Sequence, residues 1–183
     1  VEYPAKEVAI GKLINNEMTA ALQNAETTRQ GVSEMFQVWE EFKNLCNDES
    51  NTWSADLPYY PLVMSRLISA CIMANSFTQC QPLINGIFNE WPTFDYNKNQ
   101  QIKLWNTIMN YYAKTKDLDG MEDVYKKMTE EYKIKPDDVT FNIRCRAFAK
   151  QNDQRFEALF IDYLKIFNRY PNEDVFNALL NGY

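Results

Sequence analysis

Apolar side chains recur at three- and four-residue spacings along most of this chain, which is the pattern of amphipathic α-helices. In one stretch they fall at Leu104, Ile108, Tyr111 and Tyr112. The 5 glycines and 7 prolines leave few breaks, as expected of helices joined by short turns. The pattern predicts helices over Val8–Leu22, Val32–Leu45, Leu62–Ala74, Phe77–Trp91, Leu104–Lys114, Asp117–Met128, Val139–Lys150 and Gln154–Arg169. With a further helix starting near residue 173, we expect an all-α fold of about nine helices in antiparallel pairs.

Three landmarks recur along the second half of the chain at a period of about 35 residues. The first is an aromatic residue followed by Asn, the second is Ala-Lys, and the third is Pro followed by a polar residue. They occur as Trp105-Asn106, Phe141-Asn142 and Phe176-Asn177, as Ala113-Lys114 and Ala149-Lys150, and as Pro136-Asp137 and Pro171-Asn172. Their shared register predicts helical hairpins over 102–137 and 138–172, with the first helix of a third hairpin over 173–183.

The first part of the chain follows this plan less closely. Its predicted helices form two degenerate hairpins over residues 1–95, without the aromatic-Asn landmark in the first helix of either hairpin and with Pro82 inside one helix. Polar stretches over 47–58 and 95–100 are predicted to be linkers. We therefore divide the chain into a degenerate region, 1–95, and a regular repeat region, 102–183.

The repeat region resembles the pentatricopeptide repeat, a helical hairpin found in many organellar RNA-binding proteins. The matching segments are Trp105–Lys114, Asp117–Met121, Val124–Met128 and Ile134–Asp137. Tetratricopeptide repeats have a similar period, but their Trp…Leu-Gly…Tyr signature is missing here. The resemblance implies an α-solenoid of stacked antiparallel helical hairpins.

The resemblance also implies that the first helices read single-stranded RNA, one base per repeat. Base-reading pairs would be Asn106 with Asp137, favouring uracil, and Asn142 with Asn172, favouring pyrimidines. Asn177 would begin the third pair, and Val139 would pack against a base. The alternative is that these asparagines bond local backbone near a helix start, as Asn often does.

By the same resemblance, basic residues of the first helices would contact RNA phosphates. Lys114 and Lys150 recur at one repeat position, which favours a shared role. The complete predicted set is Lys103, Lys114, Arg144, Arg146 and Lys150. The alternative is that they are ordinary surface charges on solvated helix faces.

The charge distribution separates the two regions further. Residues 1–100 hold 6 Lys and Arg against 12 Asp and Glu, whereas residues 101–183 hold 13 against 13. An acidic surface repels a phosphate backbone, so any RNA contact is expected in the repeat region. The acidic region is the candidate for binding protein partners.

Catalytic and metal chemistry find little support in the sequence. The chain has no histidine, and its 4 cysteines form no Cys-x-x-Cys pair, so we predict neither an imidazole triad nor a zinc site. The cysteines are expected to be reduced and buried. No apolar run approaches the roughly 18 residues of a membrane span. We expect no enzyme activity in this segment, no cofactor and no membrane insertion.

The sequence therefore predicts an RNA-binding helical-repeat module, and the resemblance implies a role in mitochondrial gene expression, in the matrix. RNA processing, transcript stability and translation are all compatible with it. The alternative is a protein-interaction scaffold, such as a mitochondrial ribosome subunit or the accessory region of an organellar RNA polymerase. The acidic first region and its degenerate repeats favour this alternative.

Overall fold

The computed structural model describes residues 5–24, 26–46, 60–90, 98–173 and 176–177. Within these ranges the chain forms α-helices and turns and contains no β-strand, so the predicted all-α class is confirmed. The helices are α1 Ala5–Asn24, α2 Thr28–Cys46, α3 Tyr60–Met73, α4 Phe77–Glu90, α5 Lys98–Thr115, α6 Leu118–Lys126, α7 Asp138–Gln151 and α8 Arg155–Phe167. Most of the helix predicted over 173–183 lies outside the described residues. None of the described helices combines the length and apolarity that a membrane crossing requires.

Two compact units divide the chain, Val1–Leu104 and Trp105–Tyr183, and their boundary falls inside α5. This helix begins at Lys98, so the stretch predicted as a linker over 95–100 is helical in its last three residues. Lys, Asn and Gln at 98–100 are polar but do not break a helix, which is why composition alone misplaced this boundary.

The first unit is held together by apolar contacts between successive helices. Helix α1 packs on α2, α2 on α3, and α3 on α4. At the α3–α4 contact Leu67, Ile68, Cys71, Cys80 and Ile84 are completely buried. Cys71 and Cys80 are free thiols joined by a hydrogen bond, which together with burial raises the pKa of Cys80.

The second unit places α6 very close to α5. Asp117 caps α6, its Oδ1 accepting the N–H of Gly120 at 2.8 Å. A methyl group on Gly120 would lie 2.7 Å from Cδ1 of Tyr112, so only glycine fits here without a shift. After Lys126 the helix widens into a π-helical turn, Lys127–Glu131, beyond which Tyr132 packs on Trp105 with ring centroids 5.2 Å apart.

Helix α7 lies at the centre of the second unit and packs against α6 and α8. Phe141 is completely buried and makes edge contacts with the rings of Tyr163 and Phe167, at centroid distances of 5.3 and 5.5 Å. Helix α7 ends where Asn152 adopts a left-handed conformation. The turns at Asn75, Lys116, Lys133, Asn152 and Asn168 are all left-handed without glycine, so the scarcity of glycine did not prevent tight turns.

Candidate nucleic-acid interface

The structure brings together the two residues of the first predicted base-reading pair. Asn106 lies on α5, directly after the buried Trp105, and Asp137 caps the start of α7. The Asn106 side chain donates from Nδ2 to Asp137 Oδ1 at 3.0 Å, across 31 residues of sequence. A carboxylate accepts and cannot donate, so this contact fixes which end of the amide faces Asp137.

Thr140 closes a ring of hydrogen bonds around this pair. Its Oγ1 lies 2.7 Å from Asn106 Oδ1 and 2.8 Å from Asp137 Oδ1, and it accepts the backbone N–H of Asp137 at 3.1 Å. The backbone N–H of Thr140 donates in turn to Asp137 Oδ1 at 2.8 Å. Thr140 and Asp137 thus form a capping box for α7, and Asn106 is joined to it from α5.

Part of the pair remains outside this ring. Asp137 Oδ2 and the second N–H of Asn106 take no part in the bonds just described. Asp137 is partly exposed, whereas Asn106 is only 7% exposed. The groups outside the ring are therefore an anionic acceptor on Asp137 and an N–H donor on the almost fully buried Asn106.

The second predicted pair is arranged differently. Asn142 is half-buried on α7, and its Oδ1 is buried without a hydrogen-bond partner. Asn172 is also half-buried. Asn177 is exposed, but its neighbours at 174–175 and 178–183 lie outside the described residues. The repeat register predicts that Asn106, Asn142 and Asn177 lie in a row on one surface, and this stays a prediction.

Val139 is an exposed aliphatic residue in the first turn of α7, with 54% of its surface accessible. It follows Asp138, whose carboxylate accepts hydrogen bonds from the Tyr163 hydroxyl and from Arg169. Partial burial alone would raise the pKa of Asp138, but these two bonds together lower it below its usual value. Asp138 therefore keeps its charge next to Val139, so any ligand at Val139 meets an acidic neighbour.

Four of the five predicted phosphate contacts are exposed: Lys103, Lys114, Arg146 and Lys150. Lys114 lies in the last turn of α5 and Lys150 in the last turn of α7, so the repeated sequence position is also a repeated structural position. A cation at a helix C-terminus also interacts favourably with the helix dipole. Either role is compatible with this placement.

Arg144 does not belong to this exposed set, and the prediction that it contacts phosphate is wrong. It is 4% exposed and binds Glu122 through two bonds of 2.7 Å, from Nε to Oε1 and from Nη2 to Oε2. Its guanidinium also lies 3.7 Å from the centroid of the Tyr125 ring. The charge is thus satisfied inside the second unit, where α6 meets α7. The helical spacing indicates that Arg144 lies on the buried face of α7, because it comes three residues after buried Phe141 and four before buried Phe148.

Two important residues were missed when the sequence was read alone, Thr140 and Glu122. The Asp-x-x-Thr spacing of Asp137 and Thr140 matches a capping box, so the local contact was detectable. Its link to Asn106 was not, because that contact depends on how α5 and α7 meet. The partnership of Glu122 with Arg144 is likewise a contact between helices.

Comparison with known proteins agrees with this arrangement over one segment. A search of curated proteins returned no match. Residues 101–150 match the PPR repeat family, and this segment contains Asn106, Asp137, Thr140 and Asn142. Proteins of this family are helical-repeat solenoids that generally bind RNA and are typically non-catalytic. The match supports the predicted resemblance over this segment: residues 101–150 are similar to the pentatricopeptide repeat.

Proposed function

We propose that this chain is a module that binds single-stranded RNA in mitochondrial gene expression and reads one base with Asn106 and Asp137. The observation that carries the proposal is the direct hydrogen bond between these two side chains, inside the segment that matches the repeat family. Processing, stabilisation or translation of a mitochondrial transcript is the corresponding role, and the matrix is the corresponding location.

The chemistry of the first pair favours uracil. Asp137 Oδ2 is an acceptor only, and the remaining Asn106 N–H is a donor only. Uracil presents an N–H between two carbonyl oxygens on its Watson–Crick edge, so one base can bond both groups. Single-stranded RNA exposes these edges for recognition. The Asn142 and Asn172 pair has no carboxylate, and we propose that it accepts pyrimidines with less discrimination.

The remaining predicted contacts complete this interface. Val139 packs against a base, Asn177 begins a third pair, and the exposed cations bind the phosphates. Lys114 and Lys150 contribute most, because they stand at the same position of successive first helices. Phosphate contacts give affinity and salt dependence without sequence preference.

A second function remains a candidate because of the acidic region. The excess of 12 Asp and Glu over 6 Lys and Arg in residues 1–100 opposes RNA and suits a basic protein surface. A scaffold in a mitochondrial ribosome or beside an organellar RNA polymerase would use the chain in this way. The two functions differ in whether RNA binds directly.

The test measures binding of fluorescent oligo-U and oligo-A to the full chain by anisotropy at two salt concentrations. Lys114→Glu with Lys150→Glu should weaken both RNAs by at least about tenfold and lower the salt slope by about 1.4, because two phosphate contacts are lost. The matched control is Lys126→Glu with Lys165→Glu, which changes net charge equally at the last turns of the second helices, α6 and α8.

Two results would reject the proposal. Equal losses in the test and control variants would mean that net charge alone is responsible. Absence of binding to either RNA at low salt would leave the scaffold function as the better explanation.

A further inference from the structure

We propose that Thr140 is a positioning residue that fixes the orientation of the Asn106 amide and so sets the base preference of the first repeat. This inference rests on the proposed function for its consequence in RNA binding. Its structural part, the orientation of the amide, can be tested without RNA.

The direction of the hydroxyl proton follows from the bonds already present. Thr140 Oγ1 is close to two acceptors, Asn106 Oδ1 and Asp137 Oδ1, but it has one proton to give. Asp137 Oδ1 already accepts from Asn106 Nδ2 and from the backbone N–H of Thr140. The Thr140 hydroxyl therefore donates its proton in a hydrogen bond to Asn106 Oδ1, with 2.7 Å between the two oxygens.

Two contacts then hold the amide in one orientation. Asp137 requires the nitrogen end of Asn106, because a carboxylate only accepts, and the Thr140 hydroxyl then donates to the oxygen end as a second contact. Turning the amide over would set its oxygen 3.0 Å from the carboxylate and its nitrogen against the hydroxyl. With the amide held in this orientation, the second N–H of Asn106 is the donor that remains for a base edge, and Asp137 Oδ2 is the remaining acceptor.

Thr140 itself cannot touch a base, because it is completely buried. Its effect on recognition must pass through Asn106 and Asp137. This separates it from the predicted base-reading residues.

The second repeat supplies an internal contrast. Asn142 Oδ1, the counterpart of Asn106 Oδ1, is buried without a partner. Thr140 stands two residues before Asn142, and the residue two before Asn177 is Val175, which has no hydroxyl. Residue 175 lies outside the described residues, so this correspondence rests on sequence register. By sequence register, the first pair has a hydroxyl at this position and the second has none.

The first experiment needs no RNA. In a ¹⁵N-labelled full chain, the Asn106 side-chain NH₂ signals should exchange slowly with water. Thr140→Val keeps the shape but removes the hydroxyl, and should speed this exchange by about tenfold, since an amide held by one contact opens more often than one held by two. Thr140→Ser should retain the slow exchange. Unchanged exchange in Thr140→Val would overturn the positioning role.

The second experiment tests the consequence for recognition. A single cytosine is moved along oligo-U, and the position where it costs the chain most affinity marks the base read by the first repeat. Thr140→Val should reduce that cost by about fivefold while changing affinity for oligo-U less than threefold, and Thr140→Ser should restore the preference. Val175→Thr should increase discrimination at the neighbouring position.

Thermal unfolding is followed in parallel, because loss of the capping box also lowers stability. If Thr140→Val weakens binding of every oligonucleotide equally and lowers thermal stability by a matching amount, Thr140 has a structural role only. If the wild-type chain binds no RNA, the proposed function fails, while the exchange experiment still decides whether Thr140 positions Asn106.

Discussion

The α3–α4 hairpin of the first unit and the α5–α7 segment of the second unit are closed by different kinds of contact. The first is closed by Leu67, Ile68 and Ile84 with two buried thiols. The second has apolar contacts too, but adds the Asn106, Asp137 and Thr140 ring and the Arg144–Glu122 ion pair.

This difference has a physical consequence for function. Apolar packing depends on volume and tolerates substitution of similar shape. A buried polar network depends on each donor and acceptor and fails when one is removed. The first hairpin is therefore expected to tolerate volume-conserving substitutions, whereas the second depends on the placement of each donor and acceptor.

The largest test of this comparison removes Arg144. Arg144→Leu leaves Glu122 charged with 15% of its side chain exposed, and should destabilise α7 by about 4 kcal/mol. Native-state hydrogen exchange of α7 amides measures this loss locally.

A double variant provides the control. Arg144→Leu with Glu122→Leu removes both charges and should recover most of the stability. Arg155→Leu breaks an exposed contact with Asp119, whose side chain is 88% exposed, and should cost below about 1 kcal/mol through that contact. Equal losses in Arg144→Leu and the double variant would show that shape, and not charge, matters at this position.

A smaller effect is expected from the apolar hairpin. Leu67→Ala should lower stability at α3 by about 3 kcal/mol, because Leu67 is completely buried and leaves a cavity. Leu67→Met should cost below about 1.5 kcal/mol, since the volume is nearly conserved. Hydrogen exchange of α3 amides measures both. A similar loss in the two variants would contradict the view that this contact tolerates equal volumes.

The smallest effect concerns acid stability of the second unit. Hydrogen bonds from Arg155 lower the pKa of Asp153, and those from Tyr163 and Arg169 outweigh burial to lower the pKa of Asp138. A lowered carboxyl pKa stabilises the fold above its unfolded value of about 3.9, and this stability is lost as the pH falls through the folded pKa.

The melting temperature should therefore decrease as the pH is lowered below about 4, and it should decrease less steeply in Asp138→Asn. The expected difference at neutral pH is below about 1 kcal/mol, because both carboxylates are partly exposed. Circular dichroism between pH 3 and 6 measures it, with Glu157→Gln, an exposed carboxylate on α8, as the control. If the melting temperature depends on pH in the same way in Asp138→Asn and in the wild type, Asp138 does not contribute to the acid sensitivity.

The sequence was sufficient for the helices and for one contact within the candidate interface. Helical spacing located α7 to within a residue, because Phe141, Cys145 and Phe148 define one buried face. The resemblance to the pentatricopeptide repeat also implied that Asn106 and Asp137 act together, and the two side chains are in contact. Residues 31 apart could be paired because the repeat itself supplies the register.

The wrong prediction for Arg144 and the missed contact of Thr140 both depend on packing between helices. Arg144 and Arg146 are equally basic in the sequence, but one faces Glu122 on α6 and the other faces solvent. Thr140 shows a local capping pattern, yet its contact with Asn106 arises only when α5 approaches α7. Composition also missed the left-handed turns at Lys116 and Lys133, because lysine rarely adopts that conformation.

Gly120 has a consequence for how this segment tolerates mutation over time. Since even one methyl group would meet Tyr112 and Asp117, the first turn of α6 rests on α5 with no spare room. The approach of the two helices there depends on the Tyr112 ring lying against Gly120, which has no side chain of its own. A larger residue at position 120 would therefore force Tyr112 or the helix itself to move, so mutation can change most of this turn more freely than it can change Gly120.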